Sequence, residues 1–338
     1  MINIAINGFG RIGRVAFRAS LDYADRVKVV AINTSGSMDI EGWFHLLKYD
    51  SVYGRLEKEI SFEKSEEKGE LGKIIIDGQK IPVLGVREPK NIPWKKYDVG
   101  VVIDATGVFR ERSLLKGHLD AGAKKVVVSA ISKNTETIVM GVNQEKYKGG
   151  LIVSNASCTT NCISPLSKII KDEFGIQKAL MSTIHAYTSN QRLIDGSHKD
   201  LRRARSAPEN IIPTSTGAAK STIEVIPSLS GIFDGAAYRV PIVAGSLVEL
   251  VILTTKRTSV EEVNKVFEKA SKESYKGIVG VSDEPLVSRD ILGRPESAIV
   301  DLELTQVIDG DLLRIVAWYD NEWGYSCRLI DQAIFIGE

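Results

Sequence analysis

Hydrophobic and polar positions follow two textures along the chain. In the first half, short β-branched runs alternate with helical spacing. INIAIN (2–7) precedes RIGRVAFRASLDY, whose apolar residues recur every three or four positions. VKVVAIN (27–33) precedes a segment ending in WFHLLKYD. KIIIDG and KIPVLG form two short strands joined by a turn at Asp77-Gly78. VGVVIDATG (99–107), KKVVVSA (124–130) and TIVMGVN (137–143) are almost continuously apolar. Such runs fit strands buried on both faces of a parallel sheet. The alternation predicts a doubly wound α/β domain.

The texture changes after Ser157. SPLSKIIKDEF has helical spacing, and ALMSTIHAYT is a predicted strand. The polar stretch SNQRLIDGSHKDLRRARSAPEN has no period; loops of this length are usually functional or disordered. AAYRVPIVAGSLVELVILTT and AIVDLELTQVIDGDLLRIVAWYD supply long strands of an antiparallel sheet, with an amphipathic helix, VEEVNKVFEKASKE, between them. A second, α+β domain follows. A length of 338 residues also suits two domains.

Composition narrows the class. Hydrophobic content is 43% and charged content 26%, ordinary for a globular protein. The net charge of +1 gives no field favouring nucleic acid or an anionic membrane. The N-terminus opens on a strand and lacks signal-peptide features, and no apolar run reaches membrane-spanning length. Three cysteines, Cys158, Cys162 and Cys327, fit reduced thiols in a cytoplasmic protein.

Several stretches carry chemistry. GFGRIG (8–13) follows a strand and opens a helix, the context of a dinucleotide-binding turn. Gly8 permits the tight turn, Gly10 lets backbone approach a pyrophosphate, and Gly13 permits close helix–strand packing. The helix N-terminus favours the phosphates. The bland alternative is a structural glycine turn. SNASCTTNC (154–162) surrounds Cys158 with hydroxyl and amide residues, unlike a core cysteine. A nucleophilic role needs a lowered pKa, from a helix N-terminus or a neighbouring histidine. Cys162, four residues on, has no second pair to complete a zinc site, so no metal is expected. Pro165 complicates the helix, because proline prefers a first turn and would start it after Cys158. His185, in STIHAYT, is structural if alone and catalytic if paired with the cysteine. TSTGAAK (214–220), LRRAR (201–205) and Arg239 in YRVP read as anion sites or as solvated surface.

NGFGRIGR, KYDS, ATGVF, SNASCTTNC, HAYT, LRRAR, PTSTGAAK, YRVP and YDNEWGYS occur in order across essentially the whole chain. Together they closely resemble phosphorylating glyceraldehyde-3-phosphate dehydrogenases. The resemblance implies a Rossmann-like dinucleotide-binding domain over 1–157, completed by 321–338, and a catalytic domain over 158–320. It puts Cys158 at the start of a helix kinked at Pro165, as the nucleophile, and His185 as its base. Arg11 and Ile12 would contact the pyrophosphate. Asn33, Thr34, Arg87, Thr106, Ser129 and Ser197 would be further cofactor contacts, with Asn321 at the nicotinamide amide and Tyr325 beside the ring. The substrate phosphate would fall to Thr188 and Arg239, with Arg203 nearby. The attacking inorganic phosphate would fall to Ser157, Thr159, Thr216 and Gly217. The family is usually a homotetramer whose long loop, here about 187–211, reaches a neighbouring subunit's cofactor.

The departures are informative. Relatives that oxidise erythrose 4-phosphate usually lack the Thr188 hydroxyl and the STGAA run; both are kept here. Asn190 stands where an aspartate is often seen. A homologue that only binds or regulates would have a damaged Cys–His or phosphate constellation, whereas every such residue is present. Thr34 replaces the acidic residue that usually holds the adenosine ribose and would repel a 2′-phosphate. Gly196-Ser197 replaces a Leu-Pro common in NAD-selective relatives. The two changes agree and predict that NADP is accepted, with NAD also usable.

Overall fold

A computed structural model describes all residues, 1–338, and the chain divides into two compact units. The first comprises Met1–Ile138, Lys146–Ala156 and Ser326–Glu338. Its strands are β1 (Ile2–Asn7), β2 (Val27–Asn33), β3 (Tyr49–Asp50), β4 (Gly54–Arg55), β5 (Ile60–Lys64), β6 (Glu70–Ile76), β7 (Gln79–Leu84), β8 (Val101–Asp104), β9 (Lys125–Val128), β10 (Glu136–Thr137) and β11 (Ile152–Ser154). β3 and β4 form a separate small hairpin. The other nine make one sheet in the order β10-β11-β9-β8-β1-β2-β7-β6-β5. It is parallel from β10 to β7, and β6 and β5 extend it antiparallel. Helices α1 (Arg11–Ser20), α2 (Ile40–Lys48) and α3 (Arg112–Asp120) follow β1, β2 and β8. The fully buried Val101, Val102 and Ile103 show why these strands read as unbroken apolar runs. Between β6 and β7, Asp77 (φ 47°) and Gly78 (φ 82°) make the expected turn, both in the left-handed region.

TIVMGVN does not form the predicted strand. Only Glu136–Thr137 pairs in the sheet. Beyond it the backbone folds into a turn, in which Val142 and Asn143 both donate to the Val139 carbonyl and Gly141 takes φ 81°. Ile138 and Val139 are buried all the same. The apolar run reported burial, and burial does not require a strand.

The second unit comprises Val139–Glu145 and Ser157–Tyr325. Its elements are α4 (Cys158–Phe174), β12 (Ile176–Ala186), β13 (Ile212–Thr214), α5 (Ala218–Val225), β14 (Phe233–Val240), β15 (Ser246–Thr254), α6 (Val260–Lys272), β16 (Val279–Ser282), β17 (Ala298–Asp301), β18 (Gln306–Ile308) and β19 (Leu312–Tyr319). The last helix, α7 (Trp323–Gly337), starts here and continues into the first unit. The sheet order is β13-β14-β12-β15-β19-β17-β16, with β18 beside β19. Most neighbours are antiparallel; β12 with β14 and β16 with β17 are parallel. Helix α6 begins at a capping box, Ser259 with Glu262.

Helix α4 begins at Cys158 and carries Pro165 in its interior. This is the start that the resemblance implies, and the later start that proline preference alone left open does not occur. The proline ring removes one internal hydrogen bond, and the surrounding burial of Ile163, Leu166 and Ile170 holds the helix together regardless. The segment 187–211 is an irregular loop ordered by its own polar contacts. Arg205 Nε donates to Asp195 at 2.8 Å, the Ser206 N–H to Asp195 at 2.9 Å, and Arg192 Nη2 to the Ser197 carbonyl at 2.7 Å. No helix is long and apolar enough to cross a membrane.

Candidate active site

The dinucleotide cradle lies in the first unit, where β1 runs into α1. Gly8 has φ 91°, and a Cβ there would meet the Thr106 backbone nitrogen at 2.7 Å. Only glycine fits. At Gly10 a Cβ would meet nothing within 4 Å, so the space above the turn is open. Gly10 is the N-cap of α1 and makes no side-chain cap. Uncapped first-turn N–H groups are what a phosphate needs. Gly13 packs against Gly8 so closely that a Cβ would lie 2.0 Å from its carbonyl oxygen. The residues present thus fit a bound dinucleotide.

The remaining predicted contacts in this unit are less direct. The Arg11 guanidinium is turned to Asp50, bonded to both carboxylate oxygens, and lies 5.4 Å from the Tyr53 ring centre. Its backbone, with that of the half-buried Ile12, is what the turn offers to a pyrophosphate. Burial disfavours the Asp50 carboxylate, yet Arg11 and the N–H groups of Tyr53 and Val52 hold its pKa below the usual range. Asp50 lies in KYDS, 39 residues from its partner, so no local pattern announced the pair. Asn33 is engaged by Asn7 and Val86. Thr34 is only 2% exposed, and its hydroxyl donates to the Leu84 carbonyl at 3.0 Å while accepting from the Gly36 N–H. A free Thr34 hydroxyl facing the ribose is therefore not what the structure shows. What survives is the absence of a carboxylate, with exposed Ser35 and Gly36 at the tip. Arg87 is exposed and follows Val86, which is bonded to Asn33. Thr106 bonds Asp104, and the Ser129 N–H donates to the Asp104 carbonyl.

The candidate nucleophile, Cys158, lies in the second unit. Ser157 caps α4, its Oγ accepting from the Thr160 N–H at 3.1 Å. The preceding Ala156 is fully buried at φ 54°, an uncommon backbone for alanine that marks a constrained entry to the helix. Cys158 is thereby placed in the first turn, with its Sγ 3.4 Å from His185 Nε2. Their contact spans 27 residues of sequence. The register of β12 with parallel β14 sets Arg239 directly beside His185. Arg239 Nη1 lies 2.6 Å from His185 Nδ1 and donates to the Ala186 carbonyl at 2.9 Å. Beneath them, the buried Tyr319 hydroxyl bonds Thr159 at 3.0 Å and Thr183 at 2.9 Å, and its ring meets His185 edge-on. Tyr319 was not anticipated. The sequence signals for it are its place as the first residue of YDNEWGYS and as a polar tip at the end of a buried strand. Ser157→Ala is expected to lower unfolding stability by about 1 kcal/mol through the lost cap, measured by urea denaturation.

The electrostatics differ from expectation. Burial pushes the Cys158 thiol up, although Arg239 and donors from Thr159 oppose this. The predicted lowering of the thiol pKa does not hold for the free protein, because desolvation outweighs the nearby cation. Burial and Arg239 drive His185 down to about 3 from its ordinary 6.5. Both shifts favour uncharged partners, a thiol beside a neutral imidazole. His185 Nδ1 lies 2.6 Å from the Ala186 carbonyl, which accepts, and equally close to Arg239, which only donates. A proton on Nδ1 satisfies the first and leaves Nε2 bare towards sulfur. A lone pair on Nδ1 satisfies the second and aims an N–H at sulfur. The two tautomers correspond to a base and a donor.

The anion-site candidates divide. Arg203 donates to Thr214 Oγ1 at 2.8 Å and to the Ser215 carbonyl at 3.1 Å, which joins LRRAR to TSTGAAK. Thr216 Oγ1 accepts from the Ala218 N–H, and Gly217 is the exposed N-cap of α5. Thr188 is partly exposed just past β12. The hydroxyl of Thr159 is already bonded to Tyr319. Ser197 sits in the irregular loop, its carbonyl held by Arg192. Asn321 Oδ1 accepts from the Gly245 N–H and Ser246 Oγ, and Tyr325 is buried. No disulfide joins the three cysteines, and no cluster of metal-ligating side chains occurs.

The first unit is a Rossmann-type fold with an open phosphate-binding turn, the architecture of a dinucleotide-binding protein, and the second unit is α+β. Comparison with known proteins refines this. The family model "Glyceraldehyde 3-phosphate dehydrogenase, NAD binding domain" matches residues 2–112, and "Glyceraldehyde 3-phosphate dehydrogenase, C-terminal domain" matches 157–321. The chain is 49% identical to glyceraldehyde-3-phosphate dehydrogenase 2 of Bacillus subtilis, covering 98% of this chain and 95% of that one. It is 48% identical to the Geobacillus stearothermophilus glyceraldehyde-3-phosphate dehydrogenase, covering 99% and 98%. It is 49% identical to that of Mycobacterium tuberculosis H37Rv, covering 100% and 99%. The chain belongs to the glyceraldehyde-3-phosphate dehydrogenase family.

Proposed function

We propose that this protein catalyses the reversible, phosphorylating oxidation of D-glyceraldehyde 3-phosphate to 1,3-bisphosphoglycerate. The observation that carries this reading is Cys158, in the first turn of α4, with its sulfur against His185 Nε2. His185, unprotonated at Nε2, takes the thiol proton as Sγ attacks the aldehyde carbon and passes it to the carbonyl oxygen, giving a thiohemiacetal and a neutral imidazole again. His185 stabilises the charge that develops on this oxygen. A dinucleotide on the Gly8–Gly13 turn would supply the hydride acceptor in its oxidised form. Loss of hydride from carbon and of the hydroxyl proton to His185 leaves a thioester on Cys158. Inorganic phosphate, held by Ser157, Thr216 and Gly217, attacks the thioester carbon, and the acyl phosphate leaves Cys158 as thiolate. Thr188, Arg203 and Arg239 suit the substrate's own phosphate. Exposed Leu193, Ile194, Leu201 and Ile211 on the 187–211 segment support burial of this loop in a homotetramer.

The cradle also supports use of NADP. No carboxylate occupies the end of β2 to repel a 2′-phosphate, and exposed Arg87 follows the strand end bonded to it. Thr34→Asp is expected to reduce kcat/KM with NADP at least about tenfold while leaving NAD use within about threefold, from like-charge repulsion across a short distance. Equal losses with both cofactors would reject the contact. Phosphate-dependent reduction of NAD and NADP, with glyceraldehyde 3-phosphate and erythrose 4-phosphate compared, tests the activity itself. A preference for erythrose 4-phosphate, or turnover that ignores phosphate, would overturn it.

A further inference from the structure

The buried polar side chains of the first unit form a continuous chain. At the end of β8, Asp104 is fully buried, yet its carboxylate meets four donors. Oδ2 accepts from Asn7 Nδ2 at 2.8 Å and lies 3.0 Å from His118 Nε2. Oδ1 accepts from Thr106 Oγ1 at 2.6 Å and from the Thr106 N–H at 3.1 Å. Behind His118, also fully buried, Trp94 Nε1 donates to Nδ1 at 3.0 Å. An indole N–H only donates, so Nδ1 presents its lone pair and the ring proton sits on Nε2, aimed at Asp104. On the other side, Asn7 Oδ1 accepts from Asn33 Nδ2 at 2.7 Å. Asn33 then closes on Val86, donating to its carbonyl and accepting from its N–H. The chain thus runs from Trp94 past the ends of β8, β1 and β2 to the residue pair beyond β7.

Its location gives it a role. Parallel α/β sheets bind ligands beyond the carboxyl ends of their strands. Asn7 immediately precedes Gly8, and Thr106 supplies the backbone atom that would collide with a Gly8 Cβ. The Ala105 N–H also donates to the Asn7 carbonyl at 2.7 Å. Asp104 therefore grips both walls of the phosphate-binding turn, and His118, locked by Trp94, fixes Asp104. We propose that Asp104 and His118 are positioning residues for dinucleotide binding, held in one tautomeric state by Trp94. They touch no ligand and act through Asn7–Gly8 and Thr106. The turn serves the pyrophosphate, which NAD and NADP share, so both are affected alike. This rests on the dinucleotide assignment of the cradle.

Asp104→Asn keeps the side chain's shape and the two bonds from Thr106. It turns an NH2 towards two donors, Asn7 Nδ2 and His118 Nε2–H. Trp94 prevents the ring from moving its proton to Nδ1. Equilibrium dialysis of the apo protein, below each variant's thermal transition, should show Kd raised by about tenfold for NAD and NADP alike. In a Trp94→Phe background the indole donor is gone, and His118 can carry its proton on Nδ1 and accept at Nε2. There the same substitution should cost less than about threefold in Kd. His118→Phe is a second probe and should weaken both dinucleotides by a similar factor. Alkylation of Cys158 by iodoacetamide, which needs no dinucleotide, should proceed at the wild-type rate. Unchanged Kd in folded Asp104→Asn and His118→Phe, or a loss indifferent to Trp94, would overturn the proposal. Failure of the wild-type protein to bind either dinucleotide would instead overturn the cofactor assignment.

Discussion

Replacing Cys158 by serine is expected to lower phosphate-dependent dinucleotide reduction by at least about 10⁴-fold, the scale on which loss of an enzymic nucleophile is felt. The substitution changes one atom. Serine keeps the first-turn position set by the Ser157 cap and adds no bulk. What changes is acidity. Even with burial pushing its pKa up, a thiol gives its proton to a neutral imidazole far more readily than a hydroxyl does. The Gly8–Gly13 turn proposed to hold the dinucleotide is in the other unit, so binding is expected to persist. The measurement is single-turnover absorbance at saturating dinucleotide, with mass spectrometry for the acyl-enzyme. An acyl-enzyme in wild type and none in Cys158→Ser is expected. Turnover comparable to wild type in the variant would remove Cys158 from the reaction.

Replacing His185 by asparagine is expected to lower kcat by about 10²–10⁴-fold, the usual worth of a positioned general base. It also has a signature in stability. Burial and Arg239 hold the folded-state pKa of His185 at about 3, against 6.5 ordinarily. Between these values the unfolded chain binds a proton that the native protein does not. Stability therefore rises with pH through this window and is lost as pH falls from about 6.5 towards about 3. Below the lower value both states are protonated and the contribution ends. His185→Asn should flatten the pH dependence of the urea midpoint over this interval relative to wild type. An unchanged slope would mean that the imidazole is not buried as a neutral ring, and the base role would lose its support.

These effects trace to pairings of different visibility. The glycines of GFGRIG were legible because their demands are local. Gly8 needs a left-handed φ, and its neighbours in sequence create the turn. The Asp77-Gly78 turn and the Ser259–Glu262 capping box are equally local. TIVMGVN misled because a hydrophobic run records burial without recording backbone conformation. At the start of α4 proline preference left open a later start, and only the resemblance implied the start at Cys158 that packing around Pro165 permits. Thr34 was correctly seen as a missing carboxylate, but its hydroxyl is spent on Leu84, a carbonyl 50 residues away.

The sequence by itself determined the alternation of strands and helices, the phosphate turn, and the residue types available for chemistry. Each depends on neighbours within a few positions, where sterics and periodicity act directly. Tertiary structure decided which of those residues meet. The approach of Cys158 to His185, the alignment of Arg239 with His185 across β12 and β14, and the convergence of Asn7, Asp104 and His118 depend on strand register and helix placement. It also decided the charge state of the pair. Desolvation is a property of everything packed around a group, and no short stretch of sequence contains it.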